Sequence, residues 1–257
     1  MVSLLNATVP YMDKFKGIRI STRPDCIDED ILTILKQYKV TSIELGAQSM
    51  DDEVLLCNNR GHKACDVVNA SKLIKSFGFS LGLQMMTGLY KSTPEKDVKT
   101  AFEFVKLKPD TVRIYPTVIM RNTELEVLYS ASKYCVQTFD ETVDLCAKLL
   151  CIFNDNDIPV IRLGLHHSES LERDMVAGVY HPAFREICES KILFDKLVAM
   201  LHSNEKDTEI VVRVSPSCVS KMIGNKRSNL IRLNELGYKI KVVQDKSVKE
   251  MEIVLDN

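Results

Sequence analysis

The sequence predicts an α/β protein: a parallel sheet of five strands joined by crossover helices, a helical stretch, and then a smaller α/β unit. Three observations predict it. Short runs of period two alternate with longer runs whose apolar residues recur every three to four positions, and strands joined in this way lie parallel. The strand rhythm stops after His166. A polar break, Ser203-Asn204-Glu205-Lys206-Asp207, then separates this part from a new strand beginning near Glu209.

The first strand is expected over 17–22, ending at Arg23-Pro24-Asp25. A helix over 28–38 follows, with Ile31, Ile34, Leu35 and Tyr38 on one face and Asp28, Glu29 and Asp30 in its first turn, where acids suit the helix dipole. Strand 41–46 (TSIELG) precedes a helix over 64–77 striped by Val67, Ala70, Ile74 and Phe77. Strand 79–86 (FSLGLQMM) precedes a helix capped by Thr93, opened by Pro94 and apolar at Val98, Ala101, Phe102 and Val105. Strand 111–116 (TVRIYP) leads to helices near 122–130 and 139–155, and strand 158–165 (IPVIRLGL) closes the series. Five strands are too few for a closed eight-stranded barrel.

Residues 181–202 read as one helix carrying Phe184, Ile187, Leu193, Phe194 and Leu197. The expected domains are therefore 1–170, a helical connector 171–205, and a small α/β unit 206–257. That last unit reads as strand 209–214, a helical turn near 217–222, the loop Gly224-Asn225-Lys226-Arg227, helix 228–236, and strands 238–243 and 250–255. The order resembles a KH-type module, whose GxxG loop between two helices clamps nucleic-acid backbone. Here Arg227 stands where the second glycine would be. Lys221, Gly224, Lys226 and Arg227, with Arg232 nearby, form a candidate nucleic-acid patch; the alternative is a glycine helix cap beside solvated charges.

Composition bounds the function. In 257 residues, 45% hydrophobic and 27% charged, a real core can be buried. Lys plus Arg (34) nearly cancel Asp plus Glu (35), so no global field favours nucleic acid or an anionic membrane, and any anion site must be local. Met1 is not followed by a signal-like segment, and no apolar run reaches about 18 residues, so a cytoplasmic, non-membrane protein is expected. The eight cysteines, Cys26, Cys57, Cys65, Cys135, Cys146, Cys151, Cys188 and Cys218, contain no C-x-x-C pair and read mostly as small buried hydrophobes. His166 and His167 are set aside as metal ligands, because adjacent residues on a strand face opposite sides.

Ligands of parallel α/β sheets sit beyond the carboxyl ends of the strands. The side chains to weigh there are Arg23; Glu44, Gln48 and Ser49; Arg60 and His62 in the next loop; Gln84 and Gly88; Tyr115; and Arg162 with His166. Each also has a plain alternative. Arg23 can belong to an ordinary Pro-Asp strand exit, Glu44 can point to solvent instead of being buried with a partner, and Arg60 and His62 can simply cap a loop.

Four segments carry a resemblance: RISTRPDCIDEDIL, IELGAQSMDDEVLLCNNRGH, LGLQMMTGLYKSTPEKD and VRIYPTVIMRNTELE. In that order, over roughly residues 5–165, they resemble the radical S-adenosylmethionine superfamily, nearest the branch similar to the Elongator catalytic subunit and oxygen-independent coproporphyrinogen oxidase. The resemblance implies a partial TIM-type (β/α) barrel missing its first strands. It also implies a 4Fe-4S cluster that reduces S-adenosylmethionine to a 5′-deoxyadenosyl radical, which abstracts hydrogen from a substrate. Arg23 with Glu44, Gln48 and Ser49 would face the carboxylate and ribose of S-adenosylmethionine. Gly82, Gln84, Gly88 and Tyr115 would face its adenine side, and Arg60, His62 and Arg162 the substrate side.

The family holds its cluster with CxxxCxxC, and none of the eight cysteines has that spacing. The expectation is a chain that begins after the cluster loop, without metal ligands of its own and inactive by itself, with an open edge at strand 17–22 prone to self-association. RNA or tRNA is the expected partner. The alternative function is a non-catalytic remnant that binds RNA or an adenosyl ligand.

Overall fold

Ile18-Arg19-Ile20-Ser21-Thr22 extends as β1 (Ile18–Thr22) after a short helix, α1 (Val2–Thr8). The computed structural model describes residues 1–201 and 209–256, so the whole of the expected linker 203–207, and the start of the unit expected from 206, lie outside the described residues. The Asp28 carboxylate accepts the Ile31 N–H at 2.7 Å and starts α2 (Glu29–Gln37). Then come β2 (Val40–Gln48), α3 (Asp52–Cys57), α4 (Ala64–Ser76) and β3 (Ser80–Thr87). The Thr93 hydroxyl caps α5 (Pro94–Leu107), and β4 (Thr111–Pro116) follows.

Next are β5 (Val118–Met120), α6 (Glu124–Ser130), α7 (Phe139–Asn154) and β6 (Val160–Leu163). α8 (Glu169–Asp174) and β7 (Met175–Gly178) complete the first part. The main sheet runs β1-β2-β3-β4-β6, every pair parallel. It is the expected five-stranded sheet of a partial barrel.

Strand alternation gives this sheet two unlike faces. Ile43, Leu45, Ala47, Leu81, Leu83, Met85, Val112 and Ile114 are fully buried on one face, where Leu32 and Leu35 of α2, Val67 and Ile74 of α4 and Phe104 of α5 supply apolar cover. The other face carries Ser21, Glu44, Gln84, Arg113, Tyr115 and Arg162. Register sets Ser21 beside Glu44, Glu44 beside Gly82, and Gln84, Arg113 and Arg162 in one row.

Several expectations need correction. Phe102 is 48% exposed, and Phe104 takes the core position in its place. The strand rhythm does not end at His166: β7 pairs antiparallel with β5, and Gly178 allows it, since a β-carbon there would fall 2.8 Å from Val118 Cα. The last strand covers three residues rather than 250–255, because 250 and 251 form a turn with Met251 at φ +60°.

By contacts, Met1–Thr138 and Ile152–Tyr180 form one unit, and Phe139–Cys151 with His181–Asn257 another. In the second, α9 (Phe184–Met200) is followed by β8 (Glu209–Val214), α10 (Val219–Ile223), α11 (Ser228–Glu235), β9 (Lys239–Gln244) and β10 (Val254–Asp256). Its sheet order is β10-β8-β9, with β8 and β9 parallel. Leu193, Phe194 and Leu197 of α9 share one core with Val212, Val214, Met222 and Leu233, so α9 is part of this unit rather than a connector.

Candidate functional site

At the carboxyl end of β2 the strand carries an extra residue relative to β3: Leu45 pairs with Leu83 but Gln48 with Met85. Gln48 has φ +65°, and the Ser49 N–H returns to the Ala47 carbonyl at 2.8 Å. This is a three-residue turn around a non-glycine residue of positive φ, a conformation costing about 1–3 kcal/mol. Buried Gln48 accepts a hydrogen bond from Gln84 Nε2 at 3.2 Å. Its amide occupies space that Gly46 leaves free, since a β-carbon on Gly46 would fall 2.8 Å from Gln48 Nε2 and 3.8 Å from Arg60 Nη2.

The loop after α3 closes over the same spot. Arg60 Nη2 donates to the Gly46 carbonyl at 3.3 Å, and His62 Nε2 lies 3.1 Å from the Ala47 carbonyl. A carbonyl only accepts, so Nε2 carries a hydrogen, and the ring's other nitrogen is Nδ1. That Nδ1 and the Arg60 Nε are both buried without a partner. Burial, and then the Arg23 charge, holds the Arg60 guanidinium below its ordinary value.

Arg23 stands otherwise. Its side chain is 51% exposed and paired through Nε at 2.9 Å and through Nη2 with the Asp25 carboxylate, whose pKa this hydrogen bonding lowers. A β-carbon on Gly61 would meet Arg23 Nη2 at 2.7 Å. Two guanidiniums and an imidazole thus gather at one strand end with a single carboxylate among them. Ser49 faces elsewhere: its hydroxyl accepts the Asp51 N–H at 3.1 Å and touches Thr100 Oγ1 at 3.4 Å.

Lower on the polar face, Glu44 is 2% exposed, accepts from the Ser21 hydroxyl at 3.3 Å and lies 2.9 Å from Arg113 Nε. The charges are in contact, although neither atom makes a well-directed hydrogen bond. Gly82 makes room for Glu44, whose Cγ would lie 3.3 Å from a β-carbon there. Arg162 Nε donates to the Gly164 carbonyl at 3.1 Å, and half-buried Tyr115 lies beside Met86 in register.

Beyond β3, Gly88 (φ +69°) is held at both ends of its peptide. Its N–H donates to Asp97 at 2.9 Å and its carbonyl accepts from the Tyr134 hydroxyl at 2.5 Å. Asp97 also accepts from the Ser92 hydroxyl at 2.6 Å. Burial pushes the Asp97 carboxyl up to about 6, and burial likewise pushes the Tyr134 hydroxyl to about 12. Asp97, Arg113 and Tyr134 were missed in the sequence. Only Arg113 had a signal, its even spacing with Tyr115 along one strand.

In the second unit, Gly224 has φ +82° and a β-carbon there would fall 2.7 Å from Asn229 N. Lys226 and Arg227 follow in left-handed conformations, both exposed. Lys221 is set apart from them by ion pairs with Glu189 at 2.8 Å and Glu250 at 3.3 Å. Arg232 lies over the Phe194 ring at 4.1 Å.

Among the described residues, no group of three or more His, Cys, Asp or Glu side chains could hold a metal ion. Of the eight cysteines, Cys146, Cys188 and Cys218 are buried, Cys57 and Cys151 are half-buried, and Cys26, Cys65 and Cys135 are exposed, so most are not the small buried hydrophobes expected. No described helix is long and apolar enough to cross a membrane.

The chain matches the model of the Radical SAM superfamily over residues 4–105 and that of the Radical_SAM C-terminal domain over 109–193. It is 31% identical over 183 residues to Elongator complex protein 3 of Dictyostelium discoideum, covering 68% of this chain and 31% of that protein. It is 33% identical over 121 residues to a tRNA uridine(34) acetyltransferase of Dehalococcoides mccartyi, covering 46% and 26%. Among solved structures, the archaeal Elp3 of Methanocaldococcus infernus, with its N-terminus deleted, superposes with a TM-score of 0.60 at 26% identity, covering 70% of this chain and 42% of that one. The chain spans about a quarter to a third of the length of the curated relatives it matches.

Proposed function

The chain belongs to the radical S-adenosylmethionine superfamily, and on that premise we propose that its polar sheet face holds S-adenosylmethionine for chemistry on an RNA substrate. When bound, S-adenosylmethionine supplies a carbon-centred radical in this superfamily. The residues of this chain bind and orient it.

One observation carries the assignment: Arg60 keeps its Nε buried without a partner at the end of β2. A guanidinium so placed is suited to a carboxylate, which it can meet with two parallel N–H groups. Arg23 is the poorer candidate because Asp25 already occupies its fork. The Gln48 and Gln84 amides offer donors and acceptors for ribose hydroxyls, and Gly88 and Tyr115 border the adenine side. Arg162 is left for the substrate. Electron delivery is assigned to no residue of this chain.

RNA is the proposed substrate class because the similar proteins include a tRNA uridine(34) acetyltransferase. In the second unit, exposed Lys226 and Arg227 beside Gly224 support a contact with phosphates.

Calorimetry tests the ligand. The protein should bind S-adenosylmethionine saturably, Arg60→Ala should weaken it, and methylthioadenosine, which lacks the carboxylate, should bind both proteins alike. A folded protein that ignores S-adenosylmethionine, or an Arg60→Ala variant that binds it equally well, overturns the proposal.

A further inference from the structure

Nothing in the local sequence asks for a left-handed residue at Gln48: the stretch Gly46-Ala47-Gln48-Ser49 puts its glycine two positions earlier. The turn there exists nonetheless, closed by Ser49 N–H to the Ala47 carbonyl at 2.8 Å. Strained turns of this kind persist only where their surroundings over-determine them, and they concentrate at functional sites. Here the surroundings can be named.

The Ala47 carbonyl takes a second hydrogen bond, from His62 Nε2 at 3.1 Å, and the preceding Gly46 carbonyl takes one from Arg60 Nη2 at 3.3 Å. Both donors come from one loop, which is itself anchored. The Arg60 N–H donates to the Leu55 carbonyl at 3.0 Å, and Asn58 Nδ2 donates to the Val54 and Tyr90 carbonyls at 2.7 and 2.9 Å. His62 is 4% exposed, so water cannot readily replace it at Ala47. Without that bond, the turn would relax toward an extended strand and the extra residue of β2 would be re-aimed.

We infer that His62 is a positioning residue: its bond to the Ala47 carbonyl holds Gln48 left-handed, and this sets the Gln48 amide over Gly46 and against Gln84. The inference rests on the assignment of S-adenosylmethionine to this face. His62 acts through Gln48 and needs no contact with the ligand.

The test is a double-mutant cycle read by calorimetry with S-adenosylmethionine, together with the backbone coupling constant of isotope-labelled Gln48 by NMR. His62→Leu should weaken binding about fivefold, the scale of one lost hydrogen bond, and should weaken it no further once Gln48 is Ala. His62→Gln, which can still donate to Ala47, should restore binding. The NMR coupling should show Gln48 leaving positive φ in His62→Leu and keeping it in His62→Gln. Should His62→Leu not fold, Gln48→Gly, free to adopt φ +65°, is expected to raise the melting temperature; no rise would remove the strain on which the inference stands. Equal weakening with and without Gln48, or a left-handed Gln48 that survives in His62→Leu, overturns it. If the wild type ignores S-adenosylmethionine while the turn still opens in His62→Leu, the ligand assignment fails and the positioning role remains.

Discussion

Glu44 and Arg113 meet at 2.9 Å across β3, on the face of the sheet opposite the helices, directly over the gap left by Gly82. A carboxylate buried to this degree needs a counter-charge, and Arg113, with its side chain 26% exposed, is the one in contact. The pair gives the polar face its floor, with Gln84 in the same row as Arg113 and Gln48 and Arg60 further toward the strand ends.

Removing one partner should therefore cost more than removing both. Arg113→Met leaves Glu44 buried and unpaired and should destabilise the fold by about 3 kcal/mol, whereas Glu44→Leu combined with Arg113→Met should come within about 1 kcal/mol of wild type. Urea unfolding of both variants checks this. Equal losses for the single and double variants would mean that the two charges are not coupled.

Gly46→Ala separates binding from stability. The added carbon would fall 2.8 Å from the Gln48 amide, a movable side-chain end, while the Gly46 backbone is not among the positive-φ positions. The amide should swing away from Gln84 at a cost below about 1 kcal/mol in stability, with affinity for S-adenosylmethionine falling about tenfold. Melting curves and calorimetry on the same variant give both numbers.

Asp97 should impose a pH dependence opposite in sign to that of most carboxylates. Burial raises its carboxyl from 3.8 to about 6 in the folded chain, so the folded state holds that proton more tightly than the unfolded one. Its contribution is complete below about pH 3.8 and is lost as the pH rises through about 6, by a total on the order of 2–3 kcal/mol. Wild-type stability minus that of Asp97→Asn, measured from pH 4 to 8, should fall across that window and then level off. A difference that stays flat would show that Asp97 titrates as an ordinary surface acid.

Much of this fold was legible because its strands are long enough to show period two and its crossover helices begin with recognisable caps. Thr93 caps the helix expected of it, and Asp28, expected inside a first turn, is the cap of the helix that starts at Glu29. The β5–β7 ribbon was not legible, since three and four residues are too few to display a period. Phe102 and Phe104 lie two apart on one helix, and neighbours of Ala101 and Val105 at i+1 and i+3 fit an apolar stripe almost equally well; packing decides for Phe104. At the site, residue types pointed to Arg60, His62, Gln48 and Gln84, which the fold brings together. Asp97 gave no signal in the sequence; it is buried in the fold, where it accepts from the Gly88 N–H and the Ser92 hydroxyl. The turn at Gln48 depends on a loop ten or more residues away.

Lys226 and Arg227 should matter to RNA in a way that salt reveals. Both are exposed and left-handed beside Gly224, and Lys221 is already held by Glu189 and Glu250. If each meets one phosphate of a single strand, changing both to Ala should flatten the plot of log affinity against log salt by about 1.4, since each released counterion contributes about 0.7. Lys221→Ala should leave that slope nearly unchanged and lower the melting temperature instead, because it removes the ion pairs with Glu189 and Glu250 and leaves Glu189 with Arg185 at 2.8 Å. Filter binding of a fluorescent single-stranded RNA between about 50 and 200 mM salt measures the slope. An unchanged slope in the Lys226→Ala, Arg227→Ala double variant would detach this loop from RNA altogether, while leaving the S-adenosylmethionine face of the first unit untouched.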